Sequence, residues 1–220
     1  MQSRIAMSNN YLPFIGKLFT ITLIGLIIYS CSTSKKDYTY YDIDNQEISR
    51  SKFRKKRSTN KYLDIQIDSL NQRKLIKRTK TGKIDNIEVY RSLISNKSSE
   101  KLDFSKPLVI LYYPGKDPCN SSGLQTEEFI RNWYSSLESG IQQLNANNPV
   151  YLYKDKEGLE KYEGLINWYK DPDGITERLF FNNHYPCSSF VVISPKGDYV
   201  SYFGEYGPEY VWKAVKLVSK

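Results

Sequence analysis

The stretch Pro107-Leu-Val-Ile-Leu-Tyr-Tyr113, closed by Pro114-Gly115, constrains the fold of this chain more than any other. It has no polar residue at alternate positions and is too short for an ordinary helix, so it reads as a strand buried on both faces. The sequence that follows supplies elements to cover it. Residues 123–144 carry Phe129, Ile130, Trp133, Leu137, Ile141 and Leu144 on one helical face, and Ser122 with Gln125 has the spacing of a capping box. Residues 149–153 read as a second strand. Residues 157–169 show helical spacing of Leu159, Tyr162, Leu165, Ile166 and Tyr169, broken by Asp171-Pro-Asp-Gly174, with another helical turn expected over 175–181. Residues 189–193 and 199–203 are strands joined by the tight turn Ser194-Pro-Lys-Gly197, so they should pair antiparallel. Pro208 suits the first position of a last helix running through Val218.

The expected order over residues 106–220 is β-α-β-α-β-β-α, an α/β architecture that resembles the thioredoxin fold. Local stretches are similar to family features as well. Val109-Ile-Leu-Tyr-Tyr113 resembles the strand leading to the thioredoxin active site. Phe190-Val-Val-Ile-Ser-Pro-Lys-Gly-Asp-Tyr-Val200 resembles the hairpin of the periplasmic thiol-disulfide group, and Phe203-Gly204 the family's strand-ending glycine. The resemblance implies a three-layer, thioredoxin-like domain. It also implies a redox site at the start of the first helix, where the family carries Cys-x-x-Cys and helix-end electrostatics lower the attacking thiol's pKa. Here the loop is Lys116-Asp-Pro-Cys119. Cys119 matches the second, resolving cysteine, while Lys116 stands at the nucleophile's position, so this motif supports no ordinary dithiol cycle. Tyr185-Pro-Cys187 falls where the family has its cis-proline loop. Pro186 is the cis-proline candidate, although counting back from Phe190 brings the family's proline nearer Cys187. In either register the resemblance makes Cys119 and Cys187 neighbours.

The N-terminus accounts for the remaining cysteine. Only Arg4 and Lys17 are charged before the apolar run from Leu18 to Tyr29. That run is about 12 residues long where a membrane-spanning helix needs roughly 20, which is the length of a signal-peptide core. Ile28-Tyr-Ser-Cys31 resembles a bacterial lipobox. The resemblance implies a signal peptide over residues 1–30 and lipid, palmitate included, on Cys31. It implies a membrane as partner through that anchor, and by Ser32 at the next position the outer membrane. An uncleaved signal anchor is the alternative, and Met7 is an alternative start.

With Cys31 assigned to lipid, Cys119 and Cys187 form an even pair in an oxidising compartment. A disulfide between them would stabilise by roughly 4 kcal/mol in the chain-entropy model. Two free structural thiols and a redox-active pair remain the other readings. His184 is the single histidine and reads as a surface-loop residue, so no metal site is expected. Asp171, Asp173, Glu127 and Glu128 resemble turn and helix-start carboxylates. No phosphate loop or serine-hydrolase elbow is present, and no cofactor is expected.

The net charge of +8 is unevenly spread. Residues 32–106 carry 19 Lys/Arg against 10 Asp/Glu, and residues 107–220 carry 11 against 14. Residues 31–60, with the basic run Lys52-Phe-Arg-Lys-Lys-Arg57, read as a flexible tether, and residues 61–105 as an accessory segment packing on the domain. Within that segment, 62–67 has strand alternation and 86–94 helical spacing. Export makes nucleic acid an unsuitable partner despite the charge. The expected function is a membrane-anchored lipoprotein with a redox-inactive domain acting as a binding or structural module for an envelope protein. The alternative is an atypical thiol-disulfide oxidoreductase using Cys119 and Cys187.

Overall fold

The computed structural model describes residues 38–67, 71–97, 101–120, 125–183, 185 and 187–220. The expected signal peptide over residues 1–30, Cys31, His184 and Pro186 lie outside the described residues. In chain order the elements are β1 (Thr39–Tyr41), α1 (Arg50–Arg57), β2 (Tyr62–Gln66), β3 (Gln72–Lys77), β4 (Thr79–Lys83), α2 (Ile87–Ser95), β5 (Leu108–Tyr113), α3 (Glu127–Gln143), β6 (Val150–Tyr153), β7 (Trp168–Lys170), α4 (Ile175–Phe180), β8 (Ser189–Ile193), β9 (Asp198–Tyr202) and α5 (Pro208–Val218).

Six strands form one sheet in the order β4-β9-β8-β5-β6-β7. β5 runs parallel to β6 and antiparallel to β8, and β8 antiparallel to β9. All six residues of β5 are buried, because the sheet is covered on both faces. Val109 and Leu111 join a core with Ile130, Leu137 and Ile141 of α3 and Val211 and Val215 of α5. Leu108, Ile110 and Tyr112 face the opposite core, with Tyr90 and Ile94 of α2 and Phe180 of α4. This order, direction and layering make the domain thioredoxin-like. Turn chemistry fixes the β8–β9 hairpin: Gly197 has φ +85°, and the Ser194 hydroxyl accepts from Lys196 N at 3.2 Å and Asp198 N at 3.0 Å.

α3 begins at Glu127 behind a Thr126 cap, whose hydroxyl accepts from Phe129 N at 3.1 Å. The expected cap residue, Ser122, lies outside the described residues. The buried stripe of α3 is Ile130, Tyr134, Leu137 and Ile141, whereas Phe129 is 52% exposed. Gly140 lets α3 approach α5 closely, since a Cβ there would overlap the Trp212 ring.

Three expectations are corrected. Residues 157–169 do not form a helix. Gly158 and Gly164 take φ +90° and +72°, and the segment becomes a short 3-10 turn over Glu160–Tyr162 followed by β7. The apolar spacing there comes from a turn and a strand: Leu159, Tyr162, Leu165 and Ile166 pack on the α3 side of the sheet and Tyr169 on the other. Nor are residues 39–60 a flexible tether. β1, β3 and β2 make a second sheet, closed by α1 over a small core of Ile48, Phe53 and Leu75. α1 has no acidic residue, but Lys and Arg are good helix formers and Ser49 caps it by accepting from Lys52 N. Its basic end is tied down, with Lys56 3.5 Å from Asp42 and Arg57 2.7 Å from Asp64. Finally, the thioredoxin-like sheet does not start at residue 106. The chain leaves the small sheet at Arg78 and enters the large one as β4, which pairs with β9 from Thr79↔Tyr202 to Lys83↔Asp198. Arg78 pins that crossing: its guanidinium donates to Asn60 Oδ1 at 2.5 Å and Tyr202 OH at 3.2 Å.

Candidate redox site

β5 ends at Tyr113, and the chain turns through Pro114 and Gly115 into the loop carrying Cys119. The Asn120 side chain braces this loop. Its Nδ2 donates to Gly115 O at 2.9 Å and its Oδ1 accepts from Asp117 N at 3.0 Å. Tyr113 OH donates to Glu157 O at 2.8 Å, and Lys161 Nζ to Asn120 O at 2.9 Å, so the β6–β7 connection holds the loop from the other side. Lys116, at the position the family gives its nucleophile, pairs instead with Glu157 at 3.1 Å on the surface.

Cys187 arrives from a different loop, just before β8. The structure joins it to Cys119 in a disulfide, with the two Cα atoms 5.4 Å apart. Asp117 ties both halves together independently of the sulfurs. Its carboxylate accepts from Cys119 N at 2.8 Å and Asn120 N at 3.0 Å in its own loop, and from Cys187 N at 2.9 Å across the gap. Asp117 is buried, so these charge-assisted bonds act in a low-dielectric setting. Cys187 sits at φ +69°, a left-handed conformation that non-glycine residues rarely adopt and that surroundings must impose.

The accessory lobe supports the Cys187 loop. Arg57 of α1 donates to Tyr185 OH at 3.4 Å, and the Tyr185 ring packs so tightly on Gly204 that a Cβ there would collide with it. Gly204 N in turn donates to Ser189 Oγ at 3.1 Å, which pins the end of β9 to the start of β8. The next residue is Glu205. Its carboxylate oxygen and the sulfurs of Cys119 and Cys187 all lie within 4.8 Å of one another.

These three residues edge an open cleft of about 200 Å³, whose walls include Trp133, Tyr134, Tyr162 and Tyr206. The rings pack on one another, with Trp133–Tyr134 centroids 4.8 Å apart and Tyr134–Tyr162 centroids 5.9 Å apart. Burial pushes the phenols of Tyr134, Tyr162 and Tyr206 above their ordinary range, so they stay neutral donors. Burial draws the Lys161 ammonium downward, opposed by the nearby Asp117 charge. Cys119 is exposed at the cleft, and α3 starts eight residues later at Glu127, with Phe129 and Ile130 of its first turn lining the same cleft.

Of the residues singled out from sequence, Cys119 and Cys187 come together here. Asp171 caps α4, accepting from Thr176 N and Glu177 N at 3.0 Å each, and Glu127 pairs with Arg131, so both are structural. Sequence reasoning missed Asp117 and Glu205. Asp-Pro two residues before a cysteine is a turn signal that offered a hint of the first. Nothing local marked the second.

No protein-family model matches this chain, and no curated protein matches it. Among solved structures it is similar to a secreted Mycobacterium tuberculosis disulfide oxidoreductase homologous to E. coli DsbE. The identity is 16% and the TM-score 0.32, with 51% of this chain and 82% of that one covered.

Proposed function

We propose that this protein is a thiol-disulfide oxidoreductase whose redox pair is Cys119 and Cys187, drawn from two loops instead of one Cys-x-x-Cys motif. The observation that carries this reading is the disulfide's setting. It borders an open, aromatic-walled cleft with Cys119 exposed, where an incoming thiol can reach it. The pair is prealigned by Asp117, so closing and opening the bond needs little movement of the backbone. The test is equilibration with glutathione buffers followed by mass spectrometry of the alkylated protein, together with an insulin-reduction assay. A midpoint above about −300 mV with turnover supports the reading, and a lower midpoint without turnover overturns it.

The second reading is a binding or structural scaffold in which the bridge staples two loops. The Asp117 clamp favours it, because the same bonds that prealign the thiols also stabilise the closed disulfide. In either case we propose delivery to the cell envelope as a lipoprotein acylated at Cys31, facing the periplasm or the surface from the outer membrane. The lipobox-like Ile28-Tyr-Ser-Cys31 behind a short apolar run supports this. Metabolic labelling with a palmitate analogue should mark the protein and fail to mark Cys31→Ser.

A further inference from the structure

We propose that Glu205 is the proton-transfer group of this redox site, relaying a proton between the incoming thiol and the departing cysteine. The inference rests on the oxidoreductase reading above and adds to it a catalytic residue contributed by the loop between β9 and α5.

Three observations carry it. First, the Glu205 carboxylate reaches both sulfurs within 4.8 Å, so one group serves either side of the exchange. Second, its backbone is fixed: Gly204 beside it takes φ +73°, donates to Ser189 Oγ and is packed under the Tyr185 ring. Glu205 lies in the loop between β9 and α5, and these contacts at its neighbour hold that loop beside the disulfide. Third, Glu205 makes no ion pair or hydrogen bond among the described residues, so its carboxylate is not committed elsewhere. The other titratable groups around the cleft are spoken for. Asp117 accepts from the two cysteine backbones. Lys161 donates to Asn120 O and Gln125 Oε1. Tyr134, Tyr162 and Tyr206 are held neutral by burial, which leaves them no capacity to take up a proton.

The step balances as follows. A substrate dithiol enters the cleft and gives the proton of its first S–H to the Glu205 carboxylate. The resulting thiolate attacks Cys119 Sγ, forming a substrate–Cys119 disulfide and breaking the Cys119–Cys187 bond. The electron pair leaves on Cys187, which takes the proton back from Glu205. The second thiol of the substrate then attacks its own sulfur in the mixed disulfide, and Cys119 departs and is protonated by the same route. The substrate dithiol is oxidised to a disulfide, the cysteine pair is reduced to two thiols, and Glu205 ends as it began.

The test is stopped-flow reduction of the oxidised protein by dithiothreitol, comparing the native protein with Glu205→Gln between about pH 5 and pH 7. Glu205 is exposed and unpaired, so the variant should fold and keep its disulfide. Without a relay only preformed thiolate reacts, and its concentration falls about tenfold per pH unit below the thiol's pKa. The variant should follow that slope, while the native protein falls more shallowly. At the acidic end the native protein should be faster on the order of a hundred-fold, in the range of general acid–base assistance. Glu205→Asp, which keeps the carboxylate, should recover part of the shallow slope. Parallel slopes for native protein and Glu205→Gln would overturn the relay and leave the redox pair standing. No reaction of either protein with the dithiol would overturn the pair itself.

Discussion

Replacing Asp117 with Ala should make the Cys119–Cys187 disulfide easier to reduce, and the structure sets how much. Asp117 contributes several bonds within its own loop, but one crosses to the other cysteine, from Cys187 N at 2.9 Å. A hydrogen bond to a charged group stabilises by about 1.5–3 kcal/mol. In the reduced native protein that bond keeps the two loops together and lowers the entropic cost of closing the bridge. Its loss should reduce the closure equilibrium by about 10- to 150-fold, at tenfold per 1.4 kcal/mol. For a two-electron couple this is an upward shift of roughly 30–65 mV. The thermodynamic cycle requires a matching effect on folding. Asp117→Ala should destabilise the oxidised protein more than the reduced one, because only the oxidised loops stay fixed around the vacated N–H groups. The assays are glutathione titration for the potential and urea unfolding of both redox forms for stability. An unchanged midpoint, with equal destabilisation of the two forms, would refute the view that Asp117 couples the loops.

Three further outcomes are expected. Gly140→Ala should destabilise by about 1–3 kcal/mol in urea unfolding, despite alanine's better helix propensity, because the new methyl meets the Trp212 ring, which also donates to Leu137 O at 3.1 Å. Leu137→Ala, at a fully buried position of α3, should cost about 2–5 kcal/mol in the same measurement. At alkaline pH the protein should lose stability as pH rises above about 10. Burial raises the Tyr90 and Tyr134 phenols in the folded state, so the unfolded chain gives up protons that the folded one keeps. Near-ultraviolet titration should show these two tyrosines ionising only with unfolding, and early, reversible ionisation of all tyrosines would contradict it.

What the sequence disclosed depended on how much of a residue's role is local. Residues 107–113 announced a doubly covered strand because burial on both faces leaves no polar position, and Ser194-Pro-Lys-Gly197 announced its hairpin because a turn is a four-residue event. Tyr162 and Leu165 misled because a turn that packs on a core can imitate helical spacing, and only the backbone angles at Gly158 and Gly164 tell them apart. The small lobe was hidden for another reason. Its core rests on Ile48 in the loop before α1, Phe53 on α1 and Leu75 on β3, so no window contains a periodic pattern. At the site, the pairing of Cys119 with Cys187 could be expected from the resemblance to the thioredoxin fold. Asp117 and Glu205 could not, because their roles arise only when the β8 approach and the loop after β9 are brought beside the β5 loop.

The pairing of β4 with β9 also bears on how the chain is made. β4 is synthesised early and its partner late, since Thr79 must wait for Tyr202. For most of synthesis this strand has a free edge and no sheet to join. Its sequence, Thr-Lys-Thr-Gly-Lys, suits that interval, because it offers no hydrophobic row to recruit a wrong neighbour and its lysines repel other strands. The loop-closure cost of so distant a pairing grows only slowly with length, but it is incurred late. The large sheet is therefore completed only when β9 has been made, and a nascent chain stopped before β9 keeps the accessory lobe's exit strand unpaired.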